Sequence, residues 1–510
     1  MVEFKENYST MEKKGKSLEG ESILVTGATG FVGKVLVEKL LRTVPEVRHI
    51  YLLIRSKKGQ SPEERTANIF DDPLFSVLDK IEPKWRSKIT SLKGDCSVPN
   101  LGLSPEDKSL LISEVSVVFH GAATVRFDEE LKSAFNINIR GTKELILLAK
   151  QMKSLKAFIH ISTAYSNCHL KVIDEKLYEQ PYDYNKLEQM VDNLDSEILK
   201  KLLPKILGPW PNTYAFTKAV AEHVVNDYSA GLPVAIFRPA IVVGTAYEPL
   251  IGWTDNIYGP TGLVVGAGCG VIHSIYGDVN ANANIVPVDM VVSAIIAAAS
   301  KAIQRGPPPE GSEVPIYNYV SATDNPLKWV EFKNYIELHG DPVPPIRAVW
   351  CYFMTIHRFW IIHFICTLFL HYLPALILDG YGKLTKSDMP SLYNLYKKVD
   401  KFSDVISYFS IRSWTFTNEN VKALWKSLPD KDKQTFNFDI QSLDWNKFFY
   451  TYIRGLRVYL LKDEMDTIPK ATIRWRRFQM AHRIMKIVFS LLAVQAGWSV
   501  IKFSYSLLNP

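Results

Sequence analysis

Short apolar runs alternate with longer amphipathic stretches between residues 22 and 237 of the chain. Runs with so few polar interruptions predict the strands of a parallel sheet that is covered on both faces. The predicted strands are Ser22–Thr26, His49–Ile54, Ile89–Lys93, Ser116–His120, Ala157–Ser162 and Val234–Phe237. The helices predicted between them include Phe31–Arg42, Asp128–Lys150 and Pro211–Tyr228. Strands and helices that alternate at this spacing predict an α/β fold built on a doubly wound parallel sheet.

The pattern changes twice in the second half of the chain. Residues 240–345 are rich in Gly, Pro and Asn, which is typical of the irregular segments that shape the substrate side of an α/β enzyme. Beyond residue 345 the composition becomes aromatic, apolar and basic, and we expect mainly helices there. The predicted organisation is a polar tail over 1–20, a first domain over 21–345, a second domain over 346–465 and a basic, apolar segment over 466–510.

Composition narrows the class of protein. A chain of 510 residues exceeds what one hydrophobic core usually organises, and 47% apolar with 22% charged residues excludes a disordered or fibrous chain. The net charge of +7 is small for this length, so its meaning depends on where the cations cluster. The five cysteines lack the spacing of metal ligands, and we therefore predict no metal site.

A glycine-rich turn, Thr26-Gly-Ala-Thr-Gly-Phe-Val-Gly33, directly follows the first predicted strand. Such glycines let the backbone approach a pyrophosphate closely, and the helix N-terminus offers N–H groups and a positive dipole end. A P-loop is excluded because Ala28 stands at its glycine position and Val35 at its magnesium-binding hydroxyl position. The turn therefore predicts a Rossmann-type dinucleotide site. Its predicted cofactor-binding residues are Thr26, Gly27, Thr29, Gly30, Phe31, Val32 and Gly33.

The residues after the second predicted strand indicate which nicotinamide cofactor binds. Folds that bind NAD commonly place an Asp or Glu there, which holds the ribose 2′-hydroxyl. Here Arg55 and Lys57 follow the strand, and these cations would bind a 2′-phosphate. NADPH is therefore the predicted cofactor. After the third strand, Asp95 is expected to reach the adenine amino group, and after the fourth, Gly121 and Ala122 leave room for the ribose and diphosphate.

A tyrosine and a lysine one helical turn apart form the centre of the candidate catalytic group. Tyr214 and Lys218 face the same way on their predicted helix, so the phenol and the ammonium can meet over one cofactor. A phenol with a pKa of about 10 is a poor acid–base catalyst near neutrality, and a nearby cation lowers that pKa. Ser162 and Thr163 end the fifth strand with hydroxyls where a substrate carbonyl should lie. Asn138 is expected to support a water molecule or the lysine.

In their order along the chain, these motifs resemble the extended short-chain dehydrogenase/reductases. The motifs are the glycine turn, His120–Ala123, Asn138–Thr142, the strand-end hydroxyls and Tyr214–Lys218. The resemblance implies that Tyr214 donates a proton and that Lys218 holds the ribose and tunes Tyr214. Thr163 aligns with the catalytic hydroxyl of the family, although a serine is usual there and Ser162 is a second candidate. Pro239 belongs to the family's Arg-Pro turn, which implies a place near the nicotinamide.

A narrower resemblance covers almost the whole chain. The sequence is similar to the alcohol-forming fatty acyl-CoA reductases of insects and other eukaryotes. The segments that carry this resemblance are Ile23–Lys34, Tyr51–Arg55, His160–Tyr165, Tyr214–Lys218, Arg238–Val242, Ile285–Asp289 and Tyr317–Pro326. In that family a C-terminal male-sterility domain follows, and the aromatic block over 350–461 stands in its place.

The resemblance implies that NADPH reduces a long-chain fatty acyl-CoA to a primary fatty alcohol, with release of coenzyme A and an aldehyde intermediate. Hydride can attack the activated thioester directly, so we predict that Cys168 is a packed residue rather than an acyl carrier. Two alternatives stand beside this function. One is a sterol dehydrogenase or nucleotide-sugar epimerase of the same superfamily, and the other is a catalytically idle lipid-binding protein on this fold. Chain-length preference and oligomeric state stay open.

Two apolar segments predict contact with a lipid membrane. Residues 359–378 contain no Asp, Glu, Lys or Arg, and residues 487–501 follow a basic cluster that begins at Arg474. The cluster abuts an apolar segment rather than a polar groove, which favours a membrane over a nucleic acid. The alternatives are interfacial helices, buried core helices and, for 359–378, a substrate tunnel. We expect a membrane-associated enzyme with its catalytic domain in the cytosol, at the endoplasmic reticulum, peroxisome or lipid droplet.

Overall fold

Seven parallel strands form the central sheet of the computed structural model, which describes residues 16–57, 59–309, 311–385 and 391–508. Residues 1–15 of the predicted polar tail lie outside the described residues. The strands are β1 (Ser22–Thr26), β2 (His49–Ile54), β3 (Ile89–Lys93), β4 (Val117–His120), β5 (Ala157–Ile161), β6 (Val172–Ile173), β7 (Val234–Pro239), β8 (Ile241–Val243), β9 (Ser274–Tyr276), β10 (Ile285–Pro287), β11 (Ile316–Tyr319), β12 (Thr355–His357) and β13 (Thr415–Phe416).

The strand order confirms the predicted doubly wound sheet. It runs β11-β7-β5-β4-β1-β2-β3, so the chain builds one half outward from β1 and the other half outward from β4. The winding direction therefore reverses between β1 and β4, which are paired in parallel from Ile23↔Val117 to Thr26↔His120. In open α/β sheets the ligand crevice forms outside the carboxyl ends of the strands at such a reversal.

Helices cover the sheet and make up most of the C-terminal region, as predicted. The first ten are α1 (Phe31–Thr43), α2 (Pro62–Phe70), α3 (Ser76–Ile81), α4 (Pro105–Glu114), α5 (Leu131–Ala134), α6 (Gly141–Ala149), α7 (Tyr184–Asn193), α8 (Ser196–Leu207), α9 (Thr213–Tyr228) and α10 (Pro260–Gly268). The rest are α11 (Val288–Arg305), α12 (Trp329–Gly340), α13 (Trp360–Thr367), α14 (Leu373–Leu384), α15 (Leu392–Ser410), α16 (Glu419–Ser427), α17 (Asp430–Thr435), α18 (Trp445–Gly455) and α19 (Ile468–Leu508).

Local sequence explains where the helices near the sheet begin. Ser61 accepts a hydrogen bond from the backbone N–H of Glu64, whose side chain accepts one from the N–H of Ser61, and this capping box starts α2. Asn212 caps α9 by accepting from the N–H of Ala215 at 2.8 Å. Helix α11 is alanine-rich and buried along most of its length, since small side chains let it pack closely against the sheet.

Six strands of the central sheet match predicted strands, with ends that differ by at most two residues. The sequence analysis missed the seventh, β11, which pairs with β7 from Ile316↔Ile236 to Tyr319↔Pro239. This strand is only four residues long and contains a buried asparagine, Asn318, so it lacks the apolar run of strands such as β1 and β2. The segment 240–345 is therefore less irregular than its composition indicates.

The described residues divide into two compact units, each assembled from separate stretches, and the ranges below refer to those residues alone. The first contains 1–256, 280–329 and 412–448, and includes the central sheet. The second contains 257–279, 330–411 and 449–510, and includes α13, α14, α15 and α19. The domain boundaries expected at residues 345 and 465 stay predictions. The two units are defined by which residues pack together, whereas the expected domains are continuous stretches of sequence.

Among the described residues, two helices, both in the second unit, are long and apolar enough to cross a membrane by length and composition. They are Trp360–Leu384, a continuous helical run formed by α13, a π-helical stretch and α14, and Met465–Lys502, which includes most of α19. Only 17% of the most apolar window of the first and 0% of that of the second are buried. Both predicted apolar segments therefore lie on the surface, and the alternative that they are buried core helices is wrong.

Candidate active site

The glycine turn occupies the strand-to-helix junction that its sequence predicts. Gly27 has a φ of +79°, and a Cβ atom there would lie 2.6 Å from the carbonyl carbon of Gly121. A Cβ on Gly33 would lie 2.2 Å from the carbonyl oxygen of Gly27. These two positions therefore need glycine, because the turn, α1 and the loop after β4 meet backbone to backbone.

The N-terminus of α1 fits a pyrophosphate. Gly30 is its N-cap residue and donates its N–H to the carbonyl oxygen of Gly27 at 2.9 Å. Within the described part of the chain no side chain caps this end, and the first turn carries no acidic residue. Thr29, Phe31 and Val32 are half-buried around it. An uncapped, partly exposed helix N-terminus with a close glycine turn is the arrangement that a dinucleotide phosphate occupies.

Thr26 joins the two loops at the point where the winding direction reverses. Its hydroxyl oxygen lies 2.8 Å from Nδ1 of His120 and accepts a hydrogen bond from the N–H of Ala122 at 3.2 Å. The other ring nitrogen of His120 lies 2.8 Å from the hydroxyl of Thr142. Burial lowers the pKa of His120 to about 3, so the ring is neutral at working pH. Thr26 therefore fixes the loop that carries Gly121, rather than presenting its hydroxyl to solvent.

The cations predicted for a 2′-phosphate lie at the exposed end of β2, and a further arginine lies beside them. Arg55 and Lys57 are exposed, and Arg65 of α2 donates a hydrogen bond to the carbonyl oxygen of Arg55. Partial burial lowers the pKa of Arg65, and the positive charge of Arg55 lowers it further. A cavity next to the glycine turn is lined by Thr29, Lys34, Gln60, Arg65, Asn68 and Ile69. The sequence analysis missed Arg65. The signal that could have found it is the Ser61–Glu64 capping box, which predicts a helix that begins shortly after β2 and carries Arg65 near its start.

Asp95 lies at the end of β3, where it was predicted. One carboxylate oxygen, Oδ1, accepts hydrogen bonds from the N–H of Ser97 at 2.9 Å and from its hydroxyl at 2.7 Å. The backbone N–H of Asp95 donates to the carbonyl oxygen of Leu101 at 2.7 Å. The residue therefore organises its own loop with one oxygen, and its contact with adenine stays a prediction.

Lys218 lies in α9 behind the end of β5. Its ammonium donates a hydrogen bond to the carbonyl oxygen of Ile161 at 2.8 Å. Burial lowers the pKa of Lys218 to about 8, and the carboxylate of Glu222, one turn further along α9, acts in the opposite direction. The lysine is therefore anchored to the strand end, and close to neutrality it can still carry its proton.

Tyr214 is held between an aromatic ring and a hydroxyl. Its ring stacks on that of Phe127 with 5.7 Å between centroids. Burial raises the pKa of Tyr214 to about 12, while a hydrogen bond with Thr163 acts in the opposite direction. The sequence analysis expected Lys218 to lower this pKa. That expectation is wrong for this structure, because loss of hydration outweighs the other influences on the phenol.

The two strand-end hydroxyls have different partners, and this separates their roles. Thr163 hydrogen-bonds Tyr214, whereas Ser162 donates to Oε1 of Glu222 at 2.5 Å. Glu222 also accepts from Nε of Arg238 at 2.9 Å and from its Nη2 at 2.7 Å. All of Ser162, Glu222 and Arg238 are buried. Ser162 therefore belongs to a buried ionic network, and Thr163 is the hydroxyl beside the tyrosine.

Glu222 is a site residue that the sequence analysis missed. It continues the stripe of Tyr214 and Lys218 at the same helical spacing, which is the signal that could have found it. Arg238 directly precedes Pro239, whose carbonyl oxygen accepts from the N–H of Ala164 at 2.9 Å. The network thus ties α9, the end of β5 and the end of β7 together around Thr163.

Asn138 lies in a π-helical segment, Phe135–Arg140, between α5 and α6. Its amide nitrogen donates to the carbonyl oxygen of Thr124 at 3.1 Å and to the hydroxyl of Thr217 at 3.0 Å. Its Oδ1 accepts from the N–H of Thr124 at 2.8 Å. Asn138 therefore holds the loop after β4 against α9, and its predicted support of a water molecule or of Lys218 stays a prediction.

Thr163→Val is expected to lower the turnover number by about 100- to 1,000-fold, the usual cost of losing one hydrogen-bond donor to a developing oxyanion. Ser162→Ala should leave turnover near wild type and instead lower stability by about 1–3 kcal/mol, because Glu222 loses a buried donor. Steady-state kinetics and thermal melting of both variants separate the two effects. A large loss of turnover in Ser162→Ala with unchanged Thr163→Val would reverse the assignment.

Comparison with known proteins identifies the family of the chain. An NAD-binding family model described as "Male sterility protein" matches residues 25–295, and a second model of the same description matches residues 370–463. Fatty acyl-CoA reductase wat of Drosophila melanogaster is 41% identical over 483 residues, which cover 94% of this chain and 92% of that protein. Fatty acyl-CoA reductase 1 of Rattus norvegicus is 40% identical over 489 residues, with the same coverage of both chains.

Solved structures share the fold. The reductase domain of a non-ribosomal peptide synthetase from Mycobacterium tuberculosis superposes with a TM-score of 0.56 at 19% identity, over 89% of this chain and 94% of that one. The terminal R domain of the myxalamid PKS-NRPS pathway gives a TM-score of 0.54 at 22% identity, over 88% and 95%. With its NAD-binding fold and with relatives this similar over nearly its whole length, the chain is an oxidoreductase that belongs to the fatty acyl-CoA reductase family.

Proposed function

We propose that the protein reduces long-chain fatty acyl-CoA to primary fatty alcohol with NADPH and releases coenzyme A. The observation that carries this proposal is the pair of hydroxyls formed by Tyr214 and Thr163, beside Lys218 at the carboxyl end of β5. This is the edge of the sheet at which the uncapped N-terminus of α1 also lies. The relatives are named for the acyl-CoA class of substrate.

Tyr214 is the proposed proton donor. Reduction of a carbonyl group places negative charge on its oxygen, which a protonated hydroxyl stabilises and then neutralises. The raised pKa of Tyr214 keeps the phenol protonated at neutral pH, which is the state that a reduction needs at its start. Thr163 contributes a second hydroxyl to the same oxygen and orients the phenol.

Residues near the point between β1 and β4 where the winding direction of the sheet reverses would hold the cofactor. The turn from Gly27 to Gly33 and the N-terminus of α1 would bind the diphosphate, and Lys218 would hold the ribose. Arg55, Lys57 and Arg65 would surround the 2′-phosphate, and Arg65 is added to the predicted set because it adjoins Arg55. NADPH supplies the hydride when it is bound.

Electron balance requires two reductions for each substrate molecule. The first adds a hydride and a proton to the thioester and releases the coenzyme A thiol, which leaves an aldehyde. The second adds a hydride and a proton to the aldehyde and gives the alcohol. Cys168 takes no part, because burial raises the pKa of its thiol to about 12 and keeps it protonated.

A membrane location suits this chemistry. The acyl chain and the alcohol product both partition into lipid, and the exposed apolar half of α19 would anchor the chain there. The cations Arg474, Arg476, Arg477, Arg483 and Lys486 precede that half. Positive flanks stay cytosolic, so the catalytic unit would face the cytosol at the endoplasmic reticulum, peroxisome or lipid droplet.

The test of the function uses the full chain in detergent or nanodiscs with palmitoyl-CoA and NADPH. We expect two NADPH consumed for each hexadecanol formed, with one free thiol released. Sterols and nucleotide sugars in place of the acyl-CoA are the controls for the other superfamily reactions. Reduction of NADP+ by a sterol, epimerisation of a nucleotide sugar, or lipid binding without NADPH oxidation, each with no activity on palmitoyl-CoA, would overturn the proposal.

Arg55→Ala is expected to weaken NADPH binding by about 1.5–3 kcal/mol, which is the usual contribution of a hydrogen bond to a charged group. NADH binding should stay unchanged, because NADH has no 2′-phosphate. Arg65→Ala should show the same selectivity. Fluorescence titration of both cofactors measures the two affinities. Arg86→Ala is the matched control, because Arg86 is an exposed arginine paired with Asp79 at 2.5 Å. Equal losses for NADPH and NADH would show that these arginines support the fold.

A further inference from the structure

The helical run Trp360–Leu384 has its polarity inverted relative to a helix on the surface of a soluble protein. Its inward positions are polar or small, namely His363, Thr367, His371 and Ala375. Its outward positions are large and apolar, and they include Ile361 (63% exposed), Phe369 (59%) and Ile377 (63%). A soluble amphipathic helix buries its apolar stripe and exposes its polar one. The inverted arrangement indicates that the outer face of this run meets an apolar medium. We call this outer face the apolar ridge.

The inner face of the run is bonded to protein along its length. His363 Nδ1 lies 2.8 Å from the hydroxyl of Ser274 near the start of the run. In the middle, His371 Nε2 accepts a hydrogen bond from the N–H of His273 at 2.9 Å. Near the end, Asp379 accepts from the N–H of Leu392 at 2.8 Å. Protein therefore covers one side of the helix from one end to the other.

Helix α15 lies antiparallel to the run and excludes a transmembrane orientation. The two are antiparallel because Asp379 hydrogen-bonds Ser391, while Tyr372, earlier in the run, hydrogen-bonds Asp400, later in α15. α15 carries exposed lysines at 397, 398 and 401. If the run crossed a bilayer, these charges would enter the hydrocarbon beside it, which is strongly unfavourable. The run must therefore lie parallel to the membrane plane, with the ridge outward and the protein behind it.

The rim of the ridge matches a phospholipid surface. Phe359 directly precedes the run, Trp360 begins it and Tyr381 lies near its end, at the level where aromatic residues meet lipid headgroups. Arg358 and Lys383 stand exposed at the two ends, and the lysines of α15 lie alongside. These cations complement anionic headgroups while the ridge enters the acyl region.

A series of ring contacts connects the ridge with the base of the proposed anchor. His482 of α19 lies 4.4 Å from Phe353 between ring centroids, and Phe353 lies 4.0 Å from His273. His273 in turn lies 5.8 Å from His371 in the middle of the run. After His482, every residue of α19 whose burial the structure describes is exposed. The anchor thus leaves the protein close to the ridge, so one membrane can take both.

We propose that Trp360–Leu384 is an in-plane docking helix that inserts its apolar ridge into the cytosolic leaflet of the membrane in which α19 is anchored. This proposal rests on the proposed membrane location and goes beyond it. The occupant of the ridge is lipid, and docking there holds the second unit flat against the surface in which the acyl substrates dissolve. The helix is a contact with one leaflet and not a second span.

Depth-dependent quenching tests the docking helix in the full chain. The protein is reconstituted in phosphatidylcholine–phosphatidylserine nanodiscs, with a fluorescent coumarin amino acid at Ile361, Phe369 or Ile377. Lipids brominated near the headgroup or near the chain end report depth. We expect all three positions to be quenched, each more strongly by the shallow bromine. Position 492 in α19 reports the anchor, and position 426 in α16 is the exposed, water-facing control.

The outcomes separate the docking helix from the anchor. Deep quenching at 369 with shallow quenching at 361 and 377 would show a span and overturn the proposal. Quenching at 492 but at none of the three ridge positions would show that the ridge faces water or another protein, which also overturns it. No quenching at 492 either would mean that the proposed membrane location itself fails. Phe364→Glu with Phe369→Glu should abolish quenching at 361 and leave quenching at 492 unchanged.

Discussion

Tyr214→Phe is expected to lower the rate of alcohol formation by about 100- to 10,000-fold, the usual contribution of a positioned general acid. The change removes only the phenolic hydroxyl, and the ring keeps its stack on Phe127. The variant should therefore fold and bind NADPH as the wild type does. Because burial holds the pKa of Tyr214 at about 12, the wild-type rate should depend little on ionisation of this phenol around neutral pH.

The measurement is single-turnover reduction of palmitoyl-CoA, with NADPH affinity determined separately by titration. Tyr228→Phe is the matched control, since it removes the same hydroxyl from the other end of α9. It should retain wild-type rates. Residual activity of Tyr214→Phe near half of wild type would remove Tyr214 from the mechanism, and a parallel loss of NADPH affinity would indicate a structural role instead.

Local sequence was sufficient for most of the sheet, and β11 shows where it stops being sufficient. Five of the other six strands of the central sheet are mainly apolar and buried, and only β3, with the sequence Ile-Thr-Ser-Leu-Lys, is more polar and partly exposed. In β11, Asn318 is fully buried because its amide donates to the carbonyl oxygens of Ile173 at 3.2 Å and Thr417 at 2.9 Å. Those partners lie 145 and 99 residues away. No local pattern signals that such an asparagine is inside.

The candidate site shows the same division between local and distant information. Glycine spacing and the positions of Tyr214 and Lys218 predict the elements that carry them, because strand, turn and helix are local. The choice between Ser162 and Thr163 depends on Glu222, 60 residues further along the chain, which takes the hydroxyl of Ser162. Likewise, the pKa of Tyr214 depends on burial by the whole fold, and a cation one turn away did not predict its direction.

The second prediction with a large expected effect concerns the buried ion pair behind the site. Arg238 and Glu222 have side chains that are 0% and 1% exposed, with 2.7 Å between Nη2 and Oε2. Arg238 also donates to the carbonyl oxygens of Asp174 at 3.0 Å and Lys176 at 3.1 Å. Removing one partner of such a pair leaves a buried charge without compensation, which costs about 3–5 kcal/mol. The pair therefore contributes to the stability of the first unit as well as to the position of Ser162.

Glu222→Ala should accordingly lower the apparent melting temperature of the full chain by about 3–7 °C. Asp192→Ala is the matched control, because it removes a half-exposed carboxylate that pairs with Arg140 at 2.7 Å and should cost less than about 1 kcal/mol. Glu222→Gln, which keeps the shape of the side chain, serves for kinetics if the alanine variant does not fold.

Glu222→Gln has a second expected effect, which a purely structural role would not produce. The carboxylate of Glu222 raises the pKa of Lys218 against the effect of burial, so its loss should bring that pKa below about 8. Lys218 then loses its proton at lower pH, and the pH above which NADPH binding weakens should fall with it. NADPH titration of the wild type and of the variant from about pH 6 to about pH 9, a range that contains the wild-type pKa of about 8, measures that shift. An unchanged pH dependence together with an unchanged melting temperature would show that Glu222 neither stabilises the fold nor tunes the lysine.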